Sequence, residues 1–504
     1  MTGDTMIGQV ADTALTSMLD SGALRVAPAA VAAVTYAGRV VAAHTHGEPR
    51  RDGAATTART VFRIASMSKS FLAATALSLA EDGTLDLHAR ARTLVPELSS
   101  ARYGSEQIDP TLDDLLCNRA GLAEDNPWGD EHLGESREWL TGVLTDGLRL
   151  PITPGTEYRY SNLGIALVGR AIEVLTGRSV FDVVRERILE PLGLADTRNE
   201  ASSYPADADL AYGFRTFDGG ATFAPEPFLA SGALGCIGDL FSTVGDIATW
   251  MGFLGAAFGP SGTGEVLSAA ARRRMQTPRT VIPTTNRHAG DRELDGAGYG
   301  YGLVVELDHR FGRVCAHSGS LPGFGSHMRW HPATGFGVVV FGNSDDFPAA
   351  RVATDILADV LTRLDAPAET IRPWPETLAA AEELDSIVRG RRPIAAAAGL
   401  FTRNVLRDIP VEVRERRLSE ALSATGSIVD DGRDFTERIV SASDPAHLRW
   451  SIQCQRGALL CDIDLIGLNT PLVQRFSMSV ADAGGRKPEG EPSLVTDHYR
   501  VVAG

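Results

Sequence analysis

Between residues 29 and 364 the apolar pattern changes period twice, and this constrains the fold more than any other feature of the chain. The stretch "AAVAAVTYAGRVVAAHTHG", residues 29 to 47, reads as two strands around a turn at Ala37-Gly38. "TVFRIAS" is a short strand leading into a helix from Ser66 to Glu81 that stops at Gly83. Residues 99 to 285 are mainly helical in pattern, as in "LGIALVGRAIEVL" at 163 to 175. Strands return at 299 to 306, 312 to 318, 325 to 331 and 335 to 343, and a helix at 349 to 364 follows. Strands open the stretch, helices fill its middle, and strands with a helix close it. That order predicts an α+β unit: an antiparallel sheet assembled from both ends, flanked by helices, with a helical insertion beside it.

With 504 residues there is room for two or three domains. "DAPAETIRPWPET" at 365 to 377 carries the composition of a linker. The division predicted is a domain over 1–366, a Pro-rich linker over 367–380 and a small β-rich domain over 381–504, lipocalin-like or a barrel. Within the last, "HLRWSIQCQRGALLCDIDLIG" reads as a hairpin turning at Gln455-Arg456-Gly457.

Of the 48 lysines and arginines, only Lys69 and Lys487 are lysine. A chain that uses arginine for general positive charge is expected to keep lysine where arginine fails, and arginine cannot lose its proton. Lys69 lies in "RIASMSKSF", three residues after Ser66. On a helix, positions i and i+3 share a face, so amine and hydroxyl can meet. A serine alcohol needs an adjacent base, and a buried lysine whose pKa falls toward neutrality can be one. The first turn of the helix adds N–H groups that favour developing negative charge.

Three further stretches carry polar groups at element ends. "EYRYSNLG" places Tyr160 and Asn162 just before a helix: a phenol able to relay a proton and an amide able to hold a carbonyl. The competing reading makes Tyr160 a packed aromatic and Asn162 a helix cap. "CAHSGSLPGFGS" places His317, Ser318 and Gly319 at a strand end, where a substrate backbone could lie alongside. "DDLLCNRAGL" leads into a loop with Trp128 that reads as a pocket wall.

Ser-x-x-Lys opening a helix, Tyr-x-Asn opening a later one and His-x-Gly ending a strand together resemble the class C β-lactamase-like serine hydrolases. That family includes low-molecular-mass penicillin-binding proteins, D-aminopeptidases and carboxylesterases. The resemblance covers residues 20 to 365, through "VFRIASMSKSF", "PGTEYRYSNLGIALVG", "SGALGCIGDLFSTVGDIATWM", "HSGSLPGFGS" and "VVVFGNSD". It implies a β-lactamase/transpeptidase-like fold, Ser66 as the acylated nucleophile, and Lys69 and Tyr160 sharing the base and relay roles. His317 would stand where many β-lactamases have the lysine of Lys-Thr-Gly. The backbone N–H groups of Ser66 and Ser320 would form the oxyanion hole. Asn162 would bind the acyl side chain's amide or support Lys69, with Ser318, Gly319 and Trp128 also lining the substrate. Two departures stand out. Histidine at 317 removes the permanent cation that grips a β-lactam carboxylate, which implies weak or no β-lactamase activity. "CNRAGL" replaces the His-Thr-Ser-Gly-Leu that relatives often carry.

A net charge of −16 argues against nucleic acid or an anionic membrane as partner. The resemblance implies a small molecule or peptide as the substrate. The five cysteines form no C-x-x-C pair and read as buried apolar residues. The first residues show no secretory pattern and no run of 18 apolar residues exists, so a cytoplasmic setting is expected. No cofactor or metal is expected: glycines 232, 235 and 238 lack dinucleotide spacing, Asp345 and Asp346 lack a ligand set, and there is no H-E-x-x-H. The leading function is hydrolysis of an amide or ester, in a peptide that could contain D-residues. The alternatives are acyl transfer or peptide macrocyclisation, as in penicillin-binding-protein-type thioesterases, and an acylated sensor without turnover.

Overall fold

The computed structural model describes residues 3–20, 23–259, 264, 266–283, 288–289, 292–367, 369–481 and 499–502. It divides into two compact units, Met1–Ala366 and Pro367–Gly504.

The first unit is built on an antiparallel sheet. After helix α1 (Gly3–Asp20), β1 (Ala29–Tyr36) and β2 (Arg39–Gly47) form the opening hairpin. Its two-residue turn puts both Ala37 and Gly38 at positive φ, the geometry that matches the twist of a hairpin. The chain then leaves the sheet through β3 (Phe62–Arg63), α2 (Ser68–Glu81), α3 (Asn126–Glu131), α4 (Asn162–Thr176), β4 (Leu240–Ser242) and α5 (Val244–Gly255). It returns as β5 (Arg292–Tyr299), β6 (Val304–Asp308), β7 (Gly312–Leu321), β8 (Phe324–His331) and β9 (Phe336–Gly342), and closes with α6 (Ala349–Arg363). The strand order is β5-β6-β7-β8-β9-β1-β2, with the short strand Thr280–Val281 outside β5. The last strand thus pairs with the first, Val34 opposite Val338 and Ala30 opposite Gly342.

Both faces of this sheet are covered, which is why β1 and β9 read as continuous apolar runs. Ala30, Ala32, Val34, Val338 and Val340 pack with Ala14 of α1 and Val352 and Ile356 of α6. Val31, Ala33, Val339 and Phe341 face the opposite way, with Met251 of α5 and the helical insertion.

The expected strand at 299 to 306 is instead two strands joined by a turn at 300–303. Gly302 sits there at φ +65°, and a side chain on it would meet the Lys69 carbonyl at 2.6 Å and Ser70 Cα at 2.8 Å. The glycines of "YGYG" therefore break the strand so that the backbone can lie against α2.

In the second unit, β10 (Ile439–Ser441), β11 (His447–Cys454), β12 (Gly457–Leu465) and β13 (Val473–Ala481) form an antiparallel sheet in that order. Helices α7 (Pro375–Arg389) and α8 (Val411–Thr425) pack on its apolar side through Leu384, Ile387, Val388, Leu418 and Leu422. The β11–β12 hairpin turns at Gln455-Arg456. The closed barrel expected here does not form among the described residues: β10 and β13 stay at opposite ends of the sheet, and helices cover the core that closure would have enclosed. Residues 482–498 of the 381–504 segment lie outside the described residues. Described residues of the 367–380 stretch form a strand and the start of a helix. Glu369–Ile371 pairs in parallel with Tyr499–Val501, and Pro375 opens α7 at the first turn, where its missing N–H costs nothing.

Candidate active site

Ser66 does not sit in the α-helix that the sequence predicts but in a 3₁₀ turn, Ala65–Met67, that precedes α2. Ala65 has φ +47°, a conformation that disfavours a residue with a Cβ. This left-handed elbow joins β3 to α2. It is held by Ile64 N–H donating to the Leu240 carbonyl (2.9 Å) and by the Ser68 hydroxyl donating to the Ala65 carbonyl (2.6 Å). Strain of this kind persists where the surroundings over-determine it, and here it raises the Ser66 hydroxyl at the helix entrance.

Lys69, fully buried on the first turn of α2, lies with Nζ 2.8 Å from Ser66 Oγ. Nζ also donates to the Ile237 carbonyl at 2.7 Å. Burial pulls the amine down from 10.5 to about 7, against the opposing pull of Asp130, Cys236 and Asp125. Near neutral pH a large fraction of the amine therefore has a lone pair available, 2.8 Å from the Ser66 hydroxyl oxygen.

Tyr160 comes from the loop before α4. Its phenol hydrogen-bonds Ser66, and its ring lies 5.1 Å from Lys69 Nζ. Burial pushes its ionisation well above the usual phenol range, so it is a neutral O–H. Asn118, at φ +54°, anchors this loop by accepting from Ser161 N–H (3.1 Å) and from Arg159 N–H through its carbonyl (2.9 Å). That is the local job of the unusual "CNRAGL" stretch.

His317 lies on β7 with its ring 6.4 Å from that of Tyr160. Nδ1 is 2.6 Å from the Ser318 carbonyl, so it carries the proton, and Nε2 accepts from Tyr299 Oη at 3.2 Å. Burial and the nearby Lys69 hold the imidazole down to about 3, hence neutral. Gly319 follows, and any side chain on it would collide with the Ile64 carbonyl and the Ser326 hydroxyl. Only glycine lets β7 press against the elbow. Ser318 and Ser320 point the other way and are exposed. β6 pairs with β7 only as far as Ala316, so from His317 to Leu321 that edge has no strand beside it among the described residues.

Asn162 is fully buried at the start of α4, and Ser161, not Asn162, is the cap. The Asn162 amide donates to Asn126 Oδ1 (3.2 Å) and Asp130 Oδ1 (3.4 Å), so it reaches inward to α3. Trp128 packs edge-on against His132 at 5.0 Å and tilted against Trp139 at 5.7 Å.

Three features escape a reading of the sequence. Asp125 receives the N–H groups of Asn162 (2.6 Å) and Leu163 (3.1 Å) and the Ser161 hydroxyl (2.8 Å). Asp130, raised to about 6 by burial, is the strongest charge holding Lys69's pKa up. The "SGALGCIG" stretch, dismissed as a nucleotide loop, supplies the Ile237 carbonyl. The two carboxylates act on Lys69 through space and the carbonyl by direct contact, all from distant sequence positions that its own motif does not mark.

The beta-lactamase family model matches residues 20–362. The chain is similar to unguisins hydrolase ungD' of Aspergillus campestris, 27% identical over 57% of this chain and 53% of that protein. The match to unguisins hydrolase ungD of Aspergillus violaceofuscus covers 59% of that protein, so the chain spans just over half the length of these two relatives. Among solved structures, the octameric penicillin-binding protein homologue from Pyrococcus abyssi superposes with a TM-score of 0.60 at 20% identity, over 93% of this chain and 99% of that one. The D-amino acid amidase from Ochrobactrum anthropi SV3 gives 0.55 at 25% identity, over 71% and 99%. No helix among the described residues is long and apolar enough to cross a membrane.

Proposed function

We propose that this chain, which belongs to the beta-lactamase family of serine hydrolases, cleaves an amide or ester through an acyl-enzyme on Ser66. The observation that carries the reading is the fully buried Lys69 amine, 2.8 Å from Ser66 Oγ and pulled toward neutrality by its surroundings.

The residues divide the chemistry as follows. Neutral Lys69 takes the Ser66 proton while Oγ attacks the carbonyl carbon. Tyr160, whose phenol is held neutral, is the wrong species for a base and the right one for a donor. It passes a proton to the leaving atom as the tetrahedral intermediate collapses, and Lys69 resupplies it. The oxyanion is held between the backbone N–H groups of Ser66 and Ser320, an arrangement typically worth about 10²–10³ in rate. Gly319 supports this by letting β7 approach the elbow. Water then attacks the acyl carbon, with Lys69 again the base. His317 and Tyr299 position the phenol side of the site.

The acyl donor is a peptide-like amide or an ester. Similarity to a D-amino acid amidase supports a D-residue beside the scissile bond. The net charge of −16 supports a small molecule or peptide rather than nucleic acid or an anionic membrane. Five buried free thiols support a reducing, cytoplasmic setting.

The test is intact-protein mass during turnover of p-nitrophenyl esters and D-amino-acid p-nitroanilides, with Ser66→Ala in parallel. The expected result is an acyl mass on the wild type only, clearing in water as product accumulates. An adduct that persists until an amine is added would replace hydrolysis by acyl transfer. No adduct with any probe would overturn the assignment of Ser66.

A further inference from the structure

Directly across from Ser318 on the neighbouring strand is His327. Its Nδ1 is 2.8 Å from Ser318 Oγ. The imidazole is 4% exposed, and Nε2 is buried with no hydrogen-bond partner among the described residues. No role given above uses His327, and Ser318, expected from the resemblance to line the substrate, stands on the open edge of β7 between His317 and Gly319.

The direction of the hydrogen bond follows from the orphan nitrogen. A proton on Nε2 would leave a buried N–H with nothing to accept it, the rarest defect in a protein interior. A proton on Nδ1 is satisfied by Ser318 Oγ and leaves only a lone pair dry. In this tautomer the serine oxygen accepts from the imidazole, and its own O–H turns outward. Desolvation and the nearby Arg329 hold the ring neutral, so it brings no charge with it.

The charges around this edge are already matched. Arg329 is ion-paired with Glu306, Arg292 with Glu306 and Asp308, and Arg63 with Asp239. His317 is neutral with both nitrogens engaged. A substrate carboxylate placed here would lose hydration and find each of these arginines already paired, whereas a carbonyl needs only a donor.

We propose that His327 is a positioning residue that fixes the Ser318 hydroxyl as a hydrogen-bond donor along the open edge of β7. The substrate group received there, beyond the scissile bond, is an uncharged carbonyl and not a free carboxylate. This rests on the acyl-enzyme reading above and narrows it to substrates whose leaving portion is blocked, internal to a longer chain, or cyclic.

The probes are two thioesters of phenylacetic acid, one with thioglycolamide and one with thioglycolic acid, each rate divided by its uncatalysed hydrolysis. Thiol release is followed spectrophotometrically, with p-nitrophenyl phenylacetate as the reference acyl donor. The expected result is a kcat/KM at least about tenfold higher for the amide than for the acid. Ser318→Ala and His327→Phe should each lower kcat/KM for the amide by about five- to tenfold, the loss of one oriented hydrogen bond. Ser318→Thr should retain the preference, and the double variant should be no worse than Ser318→Ala. Equal rates for acid and amide would overturn the inference. So would an unchanged preference in both single variants, additive losses in the double variant, or failure to turn over either thioester while the p-nitrophenyl ester is cleaved. Because Ser318 is exposed, its variants remain informative if His327→Phe fails to fold. A wild-type protein that cannot hydrolyse the p-nitrophenyl ester would overturn the hydrolase reading itself.

Discussion

Replacing Asp130 by asparagine should move the acid side of the pH profile to lower pH. Lys69 must be neutral in the free enzyme, so kcat/KM rises with pH through the amine's pKa of about 7. At one unit below that value about one amine in ten is neutral, so activity at pH 6 should be about a tenth of the plateau. Asp130 carries the largest charge effect opposing the burial of Lys69. An anion near a base stabilises the protonated form, and its removal lowers the pKa by about one unit or more. With the midpoint near 6, about half of the amines are neutral at pH 6, and kcat/KM there should rise about fivefold. The plateau above pH 8 should fall modestly, because a weaker base drives proton transfer less. Since Asp130 itself titrates near 6, the wild-type limb belongs to the pair and should be shallower than one proton's. The assay is the pH dependence of kcat/KM for a p-nitrophenyl ester from pH 5 to 9, at constant ionic strength. An unmoved midpoint in the variant, or one displaced upward, would refute the electrostatic account of Lys69.

Tyr160→Phe should cut hydrolysis of p-nitroanilides by about 10²–10⁴ but p-nitrophenyl esters far less, because a nitrophenolate leaves without a proton; comparing kcat on the two series checks it. Gly319→Ala should keep the native far-UV circular dichroism but lower kcat, because the new methyl meets the Ile64 carbonyl and pushes β7 off the elbow; the overpacking should also cost about 1–3 kcal/mol in chemical denaturation. Lys69→Met should be inactive yet melt higher at pH 7 than the wild type. The amine's folded pKa of about 7 lies below the ordinary 10.5, so its penalty is full below pH 7 and fades as pH rises toward 10.5. At about 1.36 kcal/mol per unit the penalty is on the order of 5 kcal/mol, partly offset by the lost hydrogen bonds to Ser66 and Ile237. A variant that melts lower at pH 7, or gains equally at pH 7 and pH 11, would count against a strained, neutral lysine.

The sequence by itself pointed to the sheet and to the Ser66–Lys69 pair beside it. The apolar stretches at 29–47 and 335–343 read as strands of one antiparallel sheet, and β1 and β9 pair with one another in the structure. A Ser-x-x-Lys spacing in an arginine-rich chain pointed to Ser66 and Lys69 because spacing on one helix turn is a local property. What tertiary structure alone decided was everything that acts across distance. The left-handed Ala65 depends on β3, β4 and β7 closing around it, so the helix predicted from Ser66 begins instead as a 3₁₀ turn. The strand predicted at 299 to 306 breaks because Gly302 must fit against the backbone of α2. Asp125, Asp130 and the Ile237 carbonyl converge on Lys69 from separate loops, and His327 meets Ser318 only through strand register. Burial and through-space charge set the protonation of the site. Both depend on which residues become neighbours in the fold, which spacing along the chain does not encode.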